Sequence, residues 1–182
     1  MIPKDKVIST LTNVAYGLAG LALYLLSSLL LSPAIYLGLL MFGSGFHHYH
    51  LKHWSRKWDY IAMYAMFASS AIFGVFGSSW VTLTMPLIFA VILWFLFRCS
   101  RIVIGVLTAI LLLIIWIQAG AVWMVGFLAF ISLPFTFNTL GDSLLIEGRD
   151  YVHGLGWHPP TAGALMFANI VLYLSHIHLL PF

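Results

Sequence analysis

Ser44, His48 and Asp59 are the residue types and spacings in this chain best suited to chemistry. Ser44 and His48 are four positions apart, so on a helix they share one face. Asp59 follows eleven positions later, beyond a basic turn, where the next apolar segment begins. Two late histidines, His153 and His158, precede the last apolar segment. Zinc suits such a set. It takes imidazole nitrogens at about 2.0–2.1 Å, and catalytic sites use three protein ligands and leave a fourth position for water. A nearby carboxylate can accept the proton of that water, and a hydroxyl can hydrogen-bond a developing oxyanion. The expected chemistry is metal-assisted hydrolysis of a lipid amide or ester reached from the bilayer.

The composition says what kind of element must hold these groups. The chain has 182 residues, 62% hydrophobic and only 7% charged, with a mean hydropathy of +1.03. Soluble domains carry roughly a quarter charged residues, so this chain reads as a membrane protein, one domain over 1–182. A single cysteine, Cys99, excludes an intrachain disulfide. The net charge of +3 is confined to short loops and is no nucleic-acid signature.

Seven apolar segments are expected, making an all-α, seven-helix transmembrane bundle. They run from about Leu11 to Leu31, Pro33 to Leu51, Trp58 or Asp59 to Phe76, Trp80 to Phe97, Ile102 to Ile117, Ala119 to Phe137, and Pro159 to Leu180. Each approaches the 17–25 residues that cross the hydrocarbon. The first is too long for the core of a cleaved signal sequence and reads as a retained helix. Seven crossings place Lys4, Lys6, Lys52, Arg56, Lys57, Arg98, Arg101 and Arg149 on one side. The positive-inside rule makes that side, and the amino terminus, cytoplasmic. The same map brings Ser44, His48, Asp59, His153 and His158 to the cytoplasmic level. His176 and His178 lie near the other face, His176 being about 27 Å along a helix from His158 at 1.5 Å per residue.

Each residue also has a plainer reading. His50 and His53 fit interfacial polar positions, and His47 points about 100° away from His48 on a helix. Ser44, inside Gly43-Ser44-Gly45, fits a small residue at a helix crossing. Asp59 fits a charge paired with Arg56 or Lys57, or one that complements a helix start. Trp54, Trp58 and Trp157 fit interface anchors. Gly17 with Gly20, and Ala68-Ser69-Ser70-Ala71 with Gly74, read as close helix packing.

The seven-segment plan, Ser44-x3-His48-x10-Asp59, Trp58-Asp59-Tyr60 and the paired late histidines resemble the CREST superfamily. That group comprises alkaline ceramidases, adiponectin and progestin receptors, haemolysin-III-like proteins and GPI-anchor lipid remodelling enzymes. The resemblance implies that His48, His153 and His158 bind zinc, that Asp59 holds or deprotonates the zinc water, and that Ser44 lines the site. The family spaces its late histidines His-x3-His, whereas this chain has His153-Gly-Leu-Gly-Trp157-His158. Five positions rotate the two by about 140° on a regular helix. Gly154, Gly156 and Pro159-Pro160 suggest a non-helical loop there, with the helix opening at Pro159. Asp150 is the substitute ligand if His153 does not coordinate. The acidic amino-terminal calcium site of the ceramidases is missing, since Met1 to Asn13 offers only Asp5.

Other classes compete. A b-type haem carrier also uses histidines on facing helices, a di-iron hydroxylase needs more clustered histidines, and a non-enzymatic transporter or receptor-like protein needs none. The expected partners are the bilayer and a membrane lipid substrate, the expected cofactor is Zn2+, and the compact loops lean toward a bacterial inner membrane.

Overall fold

The computed structural model describes residues 4–50, 53–96, 106, 110, 113, 114, 117 and 149–177. The side chains of 4–6, 53, 149–153 and 157 lie outside that description, as do most of the predicted fifth segment and all of the sixth. The described residues form helices α1 (Lys4–Thr12), α2 (Val14–Leu26), a 3-10 turn (Ser28–Leu30), α3 (Leu31–His50), α4 (His53–Phe76), α5 (Trp80–Leu96) and α6 (Arg149–His176), and no strand.

Three spans, Val7–Leu26, Ser28–His50 and Trp54–Phe76, are long and apolar enough to cross a membrane, and Trp80–Leu96 is apolar but shorter. Their surfaces agree with a lipid solvent. Leu18, Leu25, Phe42 and Phe95 are 62%, 73%, 70% and 74% exposed, while Ser69 and Asn169 are fully buried. Small and polar residues inside with large apolar ones outside is how helices associate where hydrophobicity offers no drive between them.

Packing follows the small residues. The Ser69 hydroxyl bonds that of Ser32 on α3 at 3.0 Å, and Asn169 Nδ2 on α6 donates to Ser70 Oγ at 3.0 Å. The Ala68–Ala71 run is therefore the seam where α4 meets α3 on one side and α6 on the other. At Gly43 a Cβ would stand 2.7 Å from Ala62 Cβ and 2.9 Å from the Trp58 carbonyl, so α3 and α4 cross here in contact.

Three boundaries differ from the sequence expectation. The first helix begins at Lys4 and passes through Asn13, whose Nδ2 donates to the Ser9 carbonyl at 2.8 Å. The backbone tightens there through i→i+3 bonds, Asn13 to Thr10 and Tyr16 to Asn13, so the helix turns without ending. Helix α4 begins at His53, which puts Arg56 and Lys57 inside it rather than in a loop. Ser55 Oγ meets His47 Nδ1 at 3.0 Å and Lys57 Nζ lies 3.7 Å over the Trp94 ring, and these contacts hold the first turns.

The largest difference is at α6, which starts at Arg149 and runs unbroken through Pro159 and Pro160. Prolines supply no N–H to the carbonyls four residues earlier, Leu155 and Gly156, and so weaken a helix. Packing against α1 offsets that loss. A Cβ on Gly154 would stand 2.9 Å from Ser9 Cα and 3.0 Å from Thr12 Oγ1, so only glycine lets the two backbones touch. At the far end, His176 Nε2 donates to the Phe73 carbonyl at 2.8 Å. That carbonyl also receives the N–H of Gly77 at 2.8 Å, where φ of +61° caps α4.

Candidate metal centre

Four helices meet at the end of the bundle where α3 gives way to α4. His48 comes from the last turn of α3, and His158 from the middle of α6 at the proline pair. Both are buried, at 8% and 1% exposure. Their Nε2 atoms face each other at 3.2 Å. Two nitrogens each about 2.05 Å from one tetrahedral zinc stand about 3.3 Å apart, so this separation is that of two neighbouring ligands.

The other nitrogen of each ring is held by α1. Ser9 Oγ lies 3.0 Å from His48 Nδ1, and Thr12 Oγ1 lies 2.8 Å from His158 Nδ1. The Thr12 hydroxyl also lies within hydrogen-bond reach of the Ser9 carbonyl, at 3.0 Å. The contacts thus close a ring, from Ser9 through both imidazoles to Thr12 and back to Ser9. Metal-binding histidines almost always have such a partner behind them, which fixes ring orientation and tautomer.

Beside the imidazole pair stand the oxygen groups. The Ser44 hydroxyl, 4% exposed, hydrogen-bonds the Asp59 carboxylate, joining the last turns of α3 to the second turn of α4. Tyr16 packs its ring 5.8 Å from that of His158, and its hydroxyl faces Asp59 and Thr161. Thr161 Oγ1 is buried without a hydrogen-bond partner among the described residues.

No family model, curated protein or solved structure matches the chain. Its reading therefore rests on the geometry above.

Of the residues singled out in the sequence, Ser44, Asp59, His48 and His158 are gathered at one end of the bundle. The side chains of His153 and Asp150 lie outside the described residues, and among those described no three His, Cys, Asp or Glu side chains form a ready ion cage. On the continuous α6, position 153 is about 140° around the axis from His158. The position one turn before His158 is Gly154, pressed on Ser9. His47 reaches Ser55, and His50 meets Phe46 edge-on and Trp54 at a tilt, at centroid distances of 4.5 and 5.6 Å. His176 is held at the opposite end by α4.

Ser9, Thr12, Tyr16 and Thr161 are the additions. Ser9, Thr12 and Tyr16 recur every three or four positions along an apolar stretch, the signature of one helical face. A segment opening at Leu11 leaves Ser9 outside it and hides the pattern. Along α3, flanking Ser44, an apolar cavity of about 920 Å³ is lined by Tyr36, Phe42, Gly43, Gly45, Trp58 and Leu87.

Proposed function

We propose that this protein is a zinc-dependent hydrolase of a membrane lipid, cleaving an amide or ester bond at the level of the cytoplasmic interface. The observation that carries the reading is the 3.2 Å approach of the two Nε2 atoms, each ring braced from behind by a hydroxyl. This fits neighbouring ligands of a tetrahedral ion. It fits a haem less well, because two axial imidazoles face each other across the iron at about 4 Å with the macrocycle between.

His48 and His158 would hold the ion. A bound zinc would supply a Lewis acid that polarises the scissile carbonyl and makes water acidic near neutral pH. Asp59, beside Ser44, would take a proton from the attacking water and return it to the leaving amine or alcohol. Thr161 and Tyr16 would offer hydroxyls to the oxygen that gains charge. The cavity beside Ser44 would seat an acyl chain, its aromatic rim at Trp54 and Trp58 lying where a headgroup begins. The arrangement resembles the CREST superfamily in its Ser-x3-His and Asp elements. It departs at the last helix, where Gly154 stands in the family's first late histidine position.

The test is a comparison of membrane lipids from cells carrying wild type and Asp59→Asn, with zinc measured on both purified proteins. Zinc at one ion per chain, and a lipid that accumulates only in the variant, would support the reading. A protein free of zinc, or one with a visible haem band, would remove it.

A further inference from the structure

The two glycines that flank Ser44 are not equivalent. A Cβ at Gly43 would stand 2.7 Å from Ala62 Cβ and 2.9 Å from the Trp58 carbonyl, so the crossing of α3 and α4 requires that glycine. A Cβ at Gly45 would meet only Asn13 Cβ at 3.8 Å and the Thr10 carbonyl at 4.0 Å, which is ordinary van der Waals contact. Packing therefore does not require glycine at 45, where alanine would make the steadier helix. What the missing side chain leaves is open space, for Gly45 lines the cavity of about 920 Å³ along α3.

That cavity has the length of one lipid tail. From Tyr36 to Tyr49, both in its wall, α3 spans about 20 Å at 1.5 Å per residue. One leaflet's share of the hydrocarbon of a bilayer is about 15 Å. No charged side chain lines the cavity, and the Tyr36 hydroxyl at one end meets the Leu83 carbonyl at 2.6 Å. Leu39, Phe42 and Tyr49 in the wall are 42%, 70% and 50% exposed, so the cavity opens on the apolar outer surface of the bundle. The other end carries the charge. Trp58 lines the cavity and packs on Trp94 at 4.8 Å, and Lys57 Nζ lies 3.7 Å over that Trp94 ring. The ring attracts the ammonium and holds it one side chain away from the cavity wall. Across α3, α4 and α5 the Lys, Arg, Asp and Glu residues are Arg56, Lys57 and Asp59, so this rim is net positive.

We propose that the cavity is the tail site of a phospholipid with an anionic headgroup, its chain lying beside Gly45 and its headgroup against Lys57. The inference rests on the lipid-hydrolase reading above and names the class of its substrate. Lys57 and Asp59 share a turn of α4, so a headgroup held by the one lies at the depth of the other. Gly45 is the specificity position. A side chain there would fill the space of the tail and leave the α3–α4 crossing at Gly43 intact.

The experiment is native mass spectrometry of the full-length, metal-free protein, released from neutral micelles and titrated with lysophosphatidylglycerol or lysophosphatidylcholine of one chain length. The wild type should hold one lysophosphatidylglycerol per chain, about fivefold more tightly than the zwitterion, the usual effect of one cation near an anionic lipid. Lys57→Gln should remove that preference and leave the affinity for the zwitterion unchanged. Gly45→Leu should abolish binding of both. Gly38→Leu, on the same helix but outside the cavity wall and with nothing within 4 Å, should not. Should Gly45→Leu not fold, Ala90→Leu fills the same space from α5. Equal affinity of the wild type for the two headgroups, or full binding by the filled variants, overturns the tail site and leaves the zinc test of the hydrolase as it was. Selective binding in a protein that never takes zinc removes the hydrolase reading and leaves the tail site standing.

Discussion

His48 Nε2 and His158 Nε2 lie 3.2 Å apart although 110 positions separate them in the chain. The contact joins the last turn of α3 to α6 at the proline pair. Two buried imidazoles edge to edge are a costly arrangement unless every nitrogen is satisfied, and here each Nδ1 has its own hydroxyl.

Removing either ring should remove the ion. His48→Ala and His158→Ala are each expected to weaken zinc by more than the roughly 100-fold that loss of a bracing partner costs. His176→Ala, at the opposite end of the bundle, should leave metal content unchanged. Elemental analysis of the purified variants decides it, and full zinc in both alanine variants would place the ion elsewhere.

Asp59→Asn should separate metal from chemistry. The amide keeps the size of the carboxylate and can still bond Ser44, but it has no basicity. Zinc is expected to remain, while lipid hydrolysis in reconstituted vesicles should fall by about 10²–10⁴-fold, the usual share of a general base. Unchanged turnover on a confirmed substrate would strip Asp59 of its role.

Gly154→Ala should loosen the whole end of the bundle. The added carbon would stand 2.9 Å from Ser9 Cα, and a backbone atom cannot step aside as a side-chain tip can. Overpacking of this kind costs about 1–3 kcal/mol. A lower thermal midpoint in detergent is expected, together with weaker zinc, because α1 carries Ser9 and Thr12 away as it shifts. An unchanged midpoint would mean that the α1–α6 contact is softer than described.

His176→Ala tests the far end. It removes one hydrogen bond to the Phe73 carbonyl and the edge-on ring contact with Phe73 at 5.5 Å. A loss of about 0.5–1.5 kcal/mol is expected, with metal content and activity untouched. Equilibrium unfolding in mixed micelles measures the first, and a change in zinc would contradict the separation of the two ends.

The sequence by itself determined the helical class. A nearly uncharged, strongly apolar chain can satisfy its backbone in lipid as helices, and hydropathy alone marks Ser28–His50 and Trp54–Phe76 as long and apolar enough to cross a membrane. Because Ser44 and His48 are four apart, one helix presents them together, and that needs no tertiary contact. Composition also foretold the seam at Ala68–Ala71, since only small residues let helix backbones approach.

What only the tertiary structure decided is which distant residues touch. The proline pair and two glycines of 154–160 read locally as a break, yet α6 runs through them because α1 packs on the glycine face. Ser9 and Thr12 look like ordinary polar residues near a helix start, and their value appears only when His48 and His158 arrive from two other helices. Periodicity reports the face a residue takes on its own helix. Which helix covers that face is set by close packing between segments far apart in the chain, and local pattern carries no record of it.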